Sequence, residues 1–195
     1  MLFLKNTAID RILSINEMIE VIEDTLKEIA LGRGFELPRR RIHHPNRMIF
    51  GVLPGSVHGA MGAYIQTDLD RRIHHENVML FSVESGEPLI LFQDCSINEY
   101  RTGAAGAIGA KYLARSDASR VAVLGSAVHA ETQLKAVAAV RKLTEVWVFS
   151  PTAERRAACC PACRPTPPGA GSPDRAAVAH RAPGPFDGRQ GPESG

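Results

Sequence analysis

The sequence predicts an α/β protein: an N-terminal α/β part, one βαβ unit after it, and a disordered Pro/Ala/Gly-rich tail. Three observations carry this. Apolar runs of strand length alternate with segments of helical period from residue 2 to about 156. A strand, a Gly-containing turn, a helix and a second strand follow one another over residues 121–149. The composition then breaks, for residues 157–195 hold 8 of the 13 prolines and 3 of the 4 cysteines, and no Leu, Ile, Met, Lys, Trp, Tyr or Asn. Such a segment buries too little apolar surface to offset its ordering entropy.

Each element has its own signal. Leu2–Leu4 is a short strand candidate. Ser14-Ile15-Asn16-Glu17 is a capping box, in which Ser14 caps the third helical N–H and Glu17 reaches back. Met18, Ile19, Ile22, Leu26 and Ile29 follow at helical spacing, and Gly32 is the stop. Arg39, Arg40 and Arg41 lead into a strand over Met48–Leu53, which runs to Pro54-Gly55. Gly62–Thr67 is another strand, and Val78–Val83, a turn at Glu84–Glu87 and Leu89–Phe92 read as a hairpin. The Ser-Ile-Asn-Glu tetrapeptide recurs at 96–99 as a second local capping solution, and the helix it starts reaches about Arg115. Gly103, Ala104, Ala105, Gly106, Ala107, Gly109 and Ala110 let another backbone or a ligand come close, tight helix packing being the plainer reading for most of them. A strand at Val121–Leu124, a helix at about His129–Leu143 and a strand at Val146–Phe149 then make one βαβ unit, hence a parallel sheet.

Composition excludes several classes. With 44% hydrophobic and 23% charged residues, the chain is not collagen-like, coiled-coil or an acidic disordered polymer. A net charge of +2 gives no electrostatic case for nucleic acid or membrane binding. No apolar run approaches the roughly 20 residues of a transmembrane helix, and Met1–Lys5 is too short for a signal-peptide core, so the expected location is cytoplasmic.

The strongest local chemistry lies at Val121–Ala130. A dinucleotide fingerprint reads G-x-G-x-x-G/A between a strand and a helix. Gly125 supplies the tight turn and Ala130 the close helix–strand packing, while Ala127 stands at the middle glycine, where its methyl crowds a pyrophosphate. Gly125, Ser126, Ala127, Val128, His129 and Ala130 are therefore candidate cofactor-binding residues of a Rossmann domain, the alternative being a structural βα turn. An acid at the end of the second strand would hold the ribose 2′-hydroxyl of NAD. The sequence there is Phe149-Ser150-Pro151-Thr152, and Ser150 with Arg155 or Arg156 nearby suits a 2′-phosphate. The cofactor expectation is NAD or NADP, with NADP slightly preferred.

Several runs together resemble the ornithine cyclodeaminase/mu-crystallin family. They are Tyr100-Arg101-Thr102-Gly103-Ala104-Ala105, Lys111-Tyr112-Leu113-Ala114-Arg115, and Gly125 to Leu134. The hairpin Leu80–Leu89 and Leu53-Pro54-Gly55 match that family in character and place, and the likeness covers about residues 2–156. The resemblance implies an N-terminal part that binds substrate and forms a homodimer, then a Rossmann domain that binds NAD or NADP. It implies ornithine cyclodeamination, amino-acid dehydrogenation or ketimine reduction. It also assigns residues. Arg101 matches the arginine that holds the substrate carboxylate, a role its fork suits, with a surface ion pair as the alternative. Arg40 lies where a second carboxylate-binding arginine stands, with Arg41 as neighbouring candidate and a solvated loop as the alternative. Thr102 and the turn residues fall to the cofactor. Tyr64 occupies the position of the family's lysine, and a phenol carries no charge at neutral pH. Gly51 stands near a glutamate of the ornithine-cyclising branch. Both departures argue against ornithine cyclodeamination itself.

Other clusters point nowhere. Adjacent histidines at 43–44 and 74–75 point apart on a regular element and lack metal-site spacing, so no metal is expected, and they read instead as loop histidines that could line the substrate cleft. Cys159–Cys163 holds one CxxC without a second pair, and Cys95 reads as a small buried hydrophobe.

The expected organisation is a substrate-binding and dimerisation part over 1–115, a partial Rossmann domain over 116–156 and the tail over 157–195. One βαβ unit leaves a sheet edge open and apolar faces uncovered. The resemblance puts a catalytic aspartate in a portion absent here, and the tail's composition is what GC-rich codons give out of frame. The expectation is therefore a truncated, impaired chain, frameshifted near codons 153–158, against a true low-complexity tail. In function, it is an NAD(P)-dependent oxidoreductase acting on a small amino or imino acid. The alternatives are a non-catalytic NADPH and small-ligand binder of the mu-crystallin type, and a fragment that only dimerises.

Overall fold

The computed structural model describes residues 1–5, 12–70, 73–94, 96–151, 164–165 and 180–181. They fall into two compact units, one of Met1–Ser14 with Glu20–Asn98 and one of Ile15–Ile19 with Glu99–Gly195.

The first unit is a seven-stranded sheet. Its strands are β1 (Leu2–Lys5), β2 (Phe35–Glu36), β3 (Arg40–His43), β4 (Met48–Val57), β5 (Ala60–Leu69), β6 (Ile73–Ser82) and β7 (Pro88–Gln93). The order is β1-β7-β6-β5-β4-β2, with β3 also paired to β4. β1 runs parallel to β7, and every other pair is antiparallel. The central strands β4, β5 and β6 are ten residues each, longer than the apolar runs that announce them. Their ends carry polar residues that alternation hides from a hydrophobicity reading. β4 does not stop at Pro54-Gly55. Pro54 sits where β2 gives way to β3 along the strand's outer side, and its carbonyl accepts the Leu37 N–H at 3.2 Å. A proline is tolerated at such a gap in the ladder. His58 and Gly59, with φ of 51° and 75°, make the two-residue left-handed turn that joins β4 to β5. The 39–41 arginine run is not a loop, since Arg40 and Arg41 lie in β3, paired to Val52 and Gly51.

Register divides this sheet into two faces. One carries Gly51, Leu53, Tyr64, Gln66, Glu76 and Val78; the other carries Val52, Pro54, Ala63, Ile65, Met79 and Phe81. Helix α1 (Ile15–Ala30) follows Ser14 as the capping box predicts. It ends in a Schellman motif at Gly32, with Arg33 N–H on Glu28 O and Gly32 N–H on Ile29 O. Its Thr25 and Ile29 line a cavity with Leu53, Tyr64, Val78 and Leu80, so the helix covers the first face.

The second unit holds α2 (Ile97–Leu113) from Glu99 onward, β8 (Arg120–Leu124), α3 (Val128–Val140) and β9 (Glu145–Phe149). β8 and β9 are parallel in register, which completes the βαβ unit. Ala130, Leu134, Leu143, Val146 and Val148 form its core, with Val121, Val123 and Val137 against them. Two of the small residues of α2, Gly103 and Gly106, serve helix packing. A Cβ at Gly103 would stand 2.8 Å from the Thr132 carbonyl oxygen, and one at Gly106 would collide with the Gln133 amide. Arg141 ties the end of α2, its Nη2 donating to the carbonyls of Ala110 at 3.0 Å and Lys111 at 2.9 Å. Within the predicted tail, β10 (Arg164–Pro165) pairs with β11 (His180–Arg181), and β11 lies antiparallel on β9. Its other residues, and with them Cys159, Cys160 and Cys163, lie outside the described ones, as does Cys95. No helix among the described residues is long and apolar enough to cross a membrane.

Candidate functional site

Among the described residues each unit contains a candidate site. In the first, the antiparallel β5–β6 register sets Asp68 against His74, Gln66 against Glu76 and Tyr64 against Val78, all on the face under α1. Glu76 is buried, only 8% exposed. One of its carboxylate oxygens, Oε1, gathers three groups. The Tyr64 hydroxyl donates to it, Asn98 Nδ2 donates at 3.0 Å, and His74 Nε2 stands at 2.8 Å. The other ring nitrogen of His74, Nδ1, faces Asp68 Oδ2 at 3.2 Å. A carboxylate at each nitrogen favours the doubly protonated imidazole, in which both nitrogens donate. Its pKa is raised accordingly, chiefly by the Glu76 hydrogen bond and against the opposing effect of burial.

Around this cluster the side chains are closely fitted. Gly51 pairs with Gln66, and a Cβ on Gly51 would come within 3.1 Å of Gln66 Cγ. Gln66, itself buried, thus fills the room beside Gly51. The cavity of about 370 Å³ under α1 reaches the Tyr64 side chain and is otherwise walled mainly by apolar groups such as Ile29, Leu53, Val78 and Leu80. A small organic molecule with one polar end fits such a space.

The arginines separate by strand parity. Arg40 is exposed and shares the row of Val52, Ile65 and Asn77, on the face opposite Tyr64. Arg41 pairs with Gly51 on the face of Tyr64. Arg39 makes the contact itself, its guanidinium carbon 5.8 Å from the centroid of the Tyr64 ring.

The second unit's site is the β8–α3 turn. Gly125 has φ 117°, a conformation that L side chains rarely adopt, and among the described residues no atom beyond its chain neighbours lies within 4 Å of where its Cβ would be. Its N–H donates to Phe149 O at 2.8 Å, and Ser126 Oγ donates to Ser150 Oγ at 2.7 Å, so two bonds lock the ends of β8 and β9 together. Ala127 is the N-cap of α3, in extended conformation and without a side-chain cap. The helix's first N–H groups thus meet no capping side chain of that residue, which suits an anion at the helix N-terminus. Ala130 is buried against the sheet as the fingerprint requires, and its N–H bonds Ala127 O. Val128 and His129 are exposed at the mouth. Arg101 and Thr102 stand in the first turns of α2, where the Thr102 carbonyl accepts Gln133 Nε2 at 2.9 Å. Ser150 is buried, and Arg155 and Arg156 lie outside the described residues.

Sequence reasoning thus names Tyr64, the turn and the histidines at 74–75, and misses Asp68, Glu76 and Asn98. The signal was present: His74, Glu76 and Val78 alternate on one strand. The apolar run begins only at Val78, whereas the strand begins at Ile73, so the histidines lie in the sheet and not in a loop. Among the described residues no group of three or more His, Cys, Asp or Glu is arranged to hold a metal.

A sequence model of the ornithine cyclodeaminase/mu-crystallin family matches residues 1–169. A delta(1)-pyrroline-2-carboxylate reductase of Bacillus cereus is 28% identical over 153 residues, which cover 74% of this chain and 47% of that protein. An archaeal alanine dehydrogenase dimer with bound NAD superimposes with a TM-score of 0.76 at 25% identity, over 82% of this chain and 51% of that one. A Thermococcus litoralis delta(1)-pyrroline-2-carboxylate reductase in complex with NADH and L-proline gives 0.75 at 25% identity, over 82% and 52%. The chain spans about half the length of the relatives it matches.

Proposed function

The chain belongs to the ornithine cyclodeaminase/mu-crystallin family, and from that premise we propose that it works as an NAD(P)-dependent oxidoreductase on a small amino or imino acid. The observation that carries this reading is the β8–α3 turn, with its positive-φ glycine, open space above it and helix start without a side-chain cap. Gly125, Ser126, Ala127, Val128 and His129 would hold the pyrophosphate there, and Ala130 keeps the helix close to the strand. The bound nicotinamide supplies hydride acceptance or donation. The relatives with NAD or NADH bound support this cofactor class. Ser150, a hydroxyl where NAD-specific sites carry an acid, favours NADP.

Substrate falls to the first unit and to α2. Tyr64 and the apolar cavity beside it would take the ring or side chain, and Arg101 the carboxylate. Arg40 is the second carboxylate candidate from the sequence, but its face favours Arg39 or Arg41 for that task. The other face of the same sheet supports a homodimer. It exposes Phe35, Ile42, Phe50 and Met61 around a groove of about 670 Å³ lined by Pro54, Ala63, Met79 and Phe81. Met61→Glu is expected to convert dimer to monomer in light scattering.

Fluorescence titration of the full chain with NADPH and NADH tests the reading, followed by turnover of a cyclic ketimine carboxylate. Absence of binding at millimolar nucleotide overturns it. One observation favours a second reading, a binder without turnover: residue 64 is a neutral phenol. Nucleotide binding without turnover in the wild type, and turnover gained by Tyr64→Lys, would establish that reading instead.

A further inference from the structure

We propose that Tyr64, Glu76 and His74 form a proton path, in which the Tyr64 hydroxyl exchanges a proton with the nitrogen of the bound amino or imino acid and His74 stores it. The inference rests on the substrate class proposed above. Three features carry it. First, the chain of hydrogen bonds is continuous: Tyr64 Oη to Glu76 Oε1, Oε1 to His74 Nε2 at 2.8 Å, and His74 Nδ1 to Asp68 Oδ2 at 3.2 Å. Second, the chain crosses from inside to outside. Tyr64 borders the cavity under α1, Glu76 is 8% exposed, and the His74 side chain is 42% exposed. A proton loaded on His74 from solvent reaches the cavity without passing through apolar space. Third, the middle link is rigid. Asn98 fixes the same carboxylate oxygen at 3.0 Å, and Asp94 holds the Glu76 backbone N–H at 3.2 Å.

The step balances without any electron transfer. For imine protonation, the substrate N–H bond forms as the Tyr64 O–H bond breaks. Tyr64 Oη takes a proton from Glu76 Oε1, which has taken it from His74 Nε2. His74 is left neutral and is reprotonated from water. For an ammonium substrate the same bonds form and break in reverse. The charged groups around His74 are Asp68 from β5 and Glu76 from its own strand, with Arg39 over the Tyr64 ring and Arg41 on the same sheet face. His75 and its partner Asp94, at 3.1 Å, complete the set among the described residues. The carboxylates adjoin the imidazole itself and raise its pKa, so the store holds its proton more tightly than a free histidine and discharges as pH rises through that raised value.

Two measurements on the full chain decide the matter. Nitrogen-15 NMR follows the His74 ring through its titration in the wild type, Glu76→Gln and Tyr64→Phe, with His74→Asn to assign the signal. The path requires that Glu76→Gln bring the midpoint back toward that of an ordinary histidine, and that Tyr64→Phe shift it as well. Turnover of a cyclic ketimine carboxylate with NADPH is measured beside it. The expected kcat falls about tenfold per pH unit above the His74 midpoint, and Tyr64→Phe lowers kcat by about 10²–10⁴-fold, the usual contribution of a positioned acid. Nucleotide affinity of Tyr64→Phe stays at the wild-type value. Tyr64→Phe with kcat within about twofold of wild type, a His74 midpoint indifferent to Glu76→Gln, or bound nucleotide without turnover in the wild type each overturn the path. No nucleotide binding by the wild type overturns the oxidoreductase reading, and the path with it.

Discussion

Asp94 holds Glu76 by its backbone from both sides. The Asp94 N–H donates to Glu76 O at 2.6 Å, and the Asp94 carboxylate accepts the Glu76 N–H at 3.2 Å. The same carboxylate meets His75 Nδ1 at 3.1 Å. Asp94 adopts φ 47° to do this, at the point where β7 ends. A residue just past one strand thus fixes the buried acid of its neighbour. Asp94→Ala is expected to destabilise the protein by about 1–2 kcal/mol, the cost of a lost hydrogen bond and an uncovered N–H. Chemical denaturation measures this, and an unchanged midpoint would remove Asp94 from the account.

The His74 pair makes stability depend on pH in a defined direction. Its pKa is raised in the folded state above 6.5, first by the Glu76 hydrogen bond. A raised value means the folded state binds the proton more tightly, so the contribution is fully present below about 6.5, the unfolded value. It is lost as pH rises through the raised folded value. His74 is partly exposed, so the effect is modest. Melting temperature should decline over that window, and His74→Asn should flatten this part of the profile. A steeper decline in the variant contradicts the assignment.

Gly125 and Ser150 separate the fold of the turn from its chemistry. Gly125→Ala places a side chain at φ 117° and over the open space where a phosphate would lie. It should weaken NADPH binding by at least about tenfold, with a strain cost of about 1–2 kcal/mol in stability. Ser150→Asp should shift preference toward NADH by about tenfold or more, since a carboxylate there bonds the ribose hydroxyl and repels a 2′-phosphate. Paired fluorescence titrations read both. Equal loss of the two nucleotides in Ser150→Asp would place the ribose elsewhere.

Gly103 tests the reading of the small-residue helix. Its would-be Cβ lies 2.8 Å from a backbone carbonyl oxygen of α3, which cannot rotate away. Gly103→Ala should cost about 1–3 kcal/mol through forced separation of the helices. Gly109→Ala, with nothing within 4 Å of its Cβ, should be neutral or slightly stabilising. Thermal melts of the two variants side by side distinguish packing from a general intolerance of the helix.

Much of the molecule was legible in order of residues alone. The βαβ unit announces itself through Val121–Leu124, Gly125, the α3 segment and Val146–Phe149, because strand, turn and helix each impose a local pattern. Gly32 and the two Ser-Ile-Asn-Glu boxes mark helix ends for the same reason. β3 and the polar half of β6 escaped, since Arg40, Arg41, His74, His75 and Glu76 carry no apolar signal and become strand only by pairing with β4 and β5.

By itself, then, the sequence determined what local physics can determine: the helix starts and stops, the glycine turn, the family and the unusual tyrosine at 64. Only the tertiary structure decided which residues stand beside that tyrosine. Register puts Glu76 and His74 within hydrogen-bond reach and turns Arg40 to the other face while Arg39 covers the ring. Side chains alternate with a period of two, so a single residue of register exchanges the faces, and register is fixed by pairing with neighbouring strands, as in Asp68 with His74, Gln66 with Glu76 and Tyr64 with Val78.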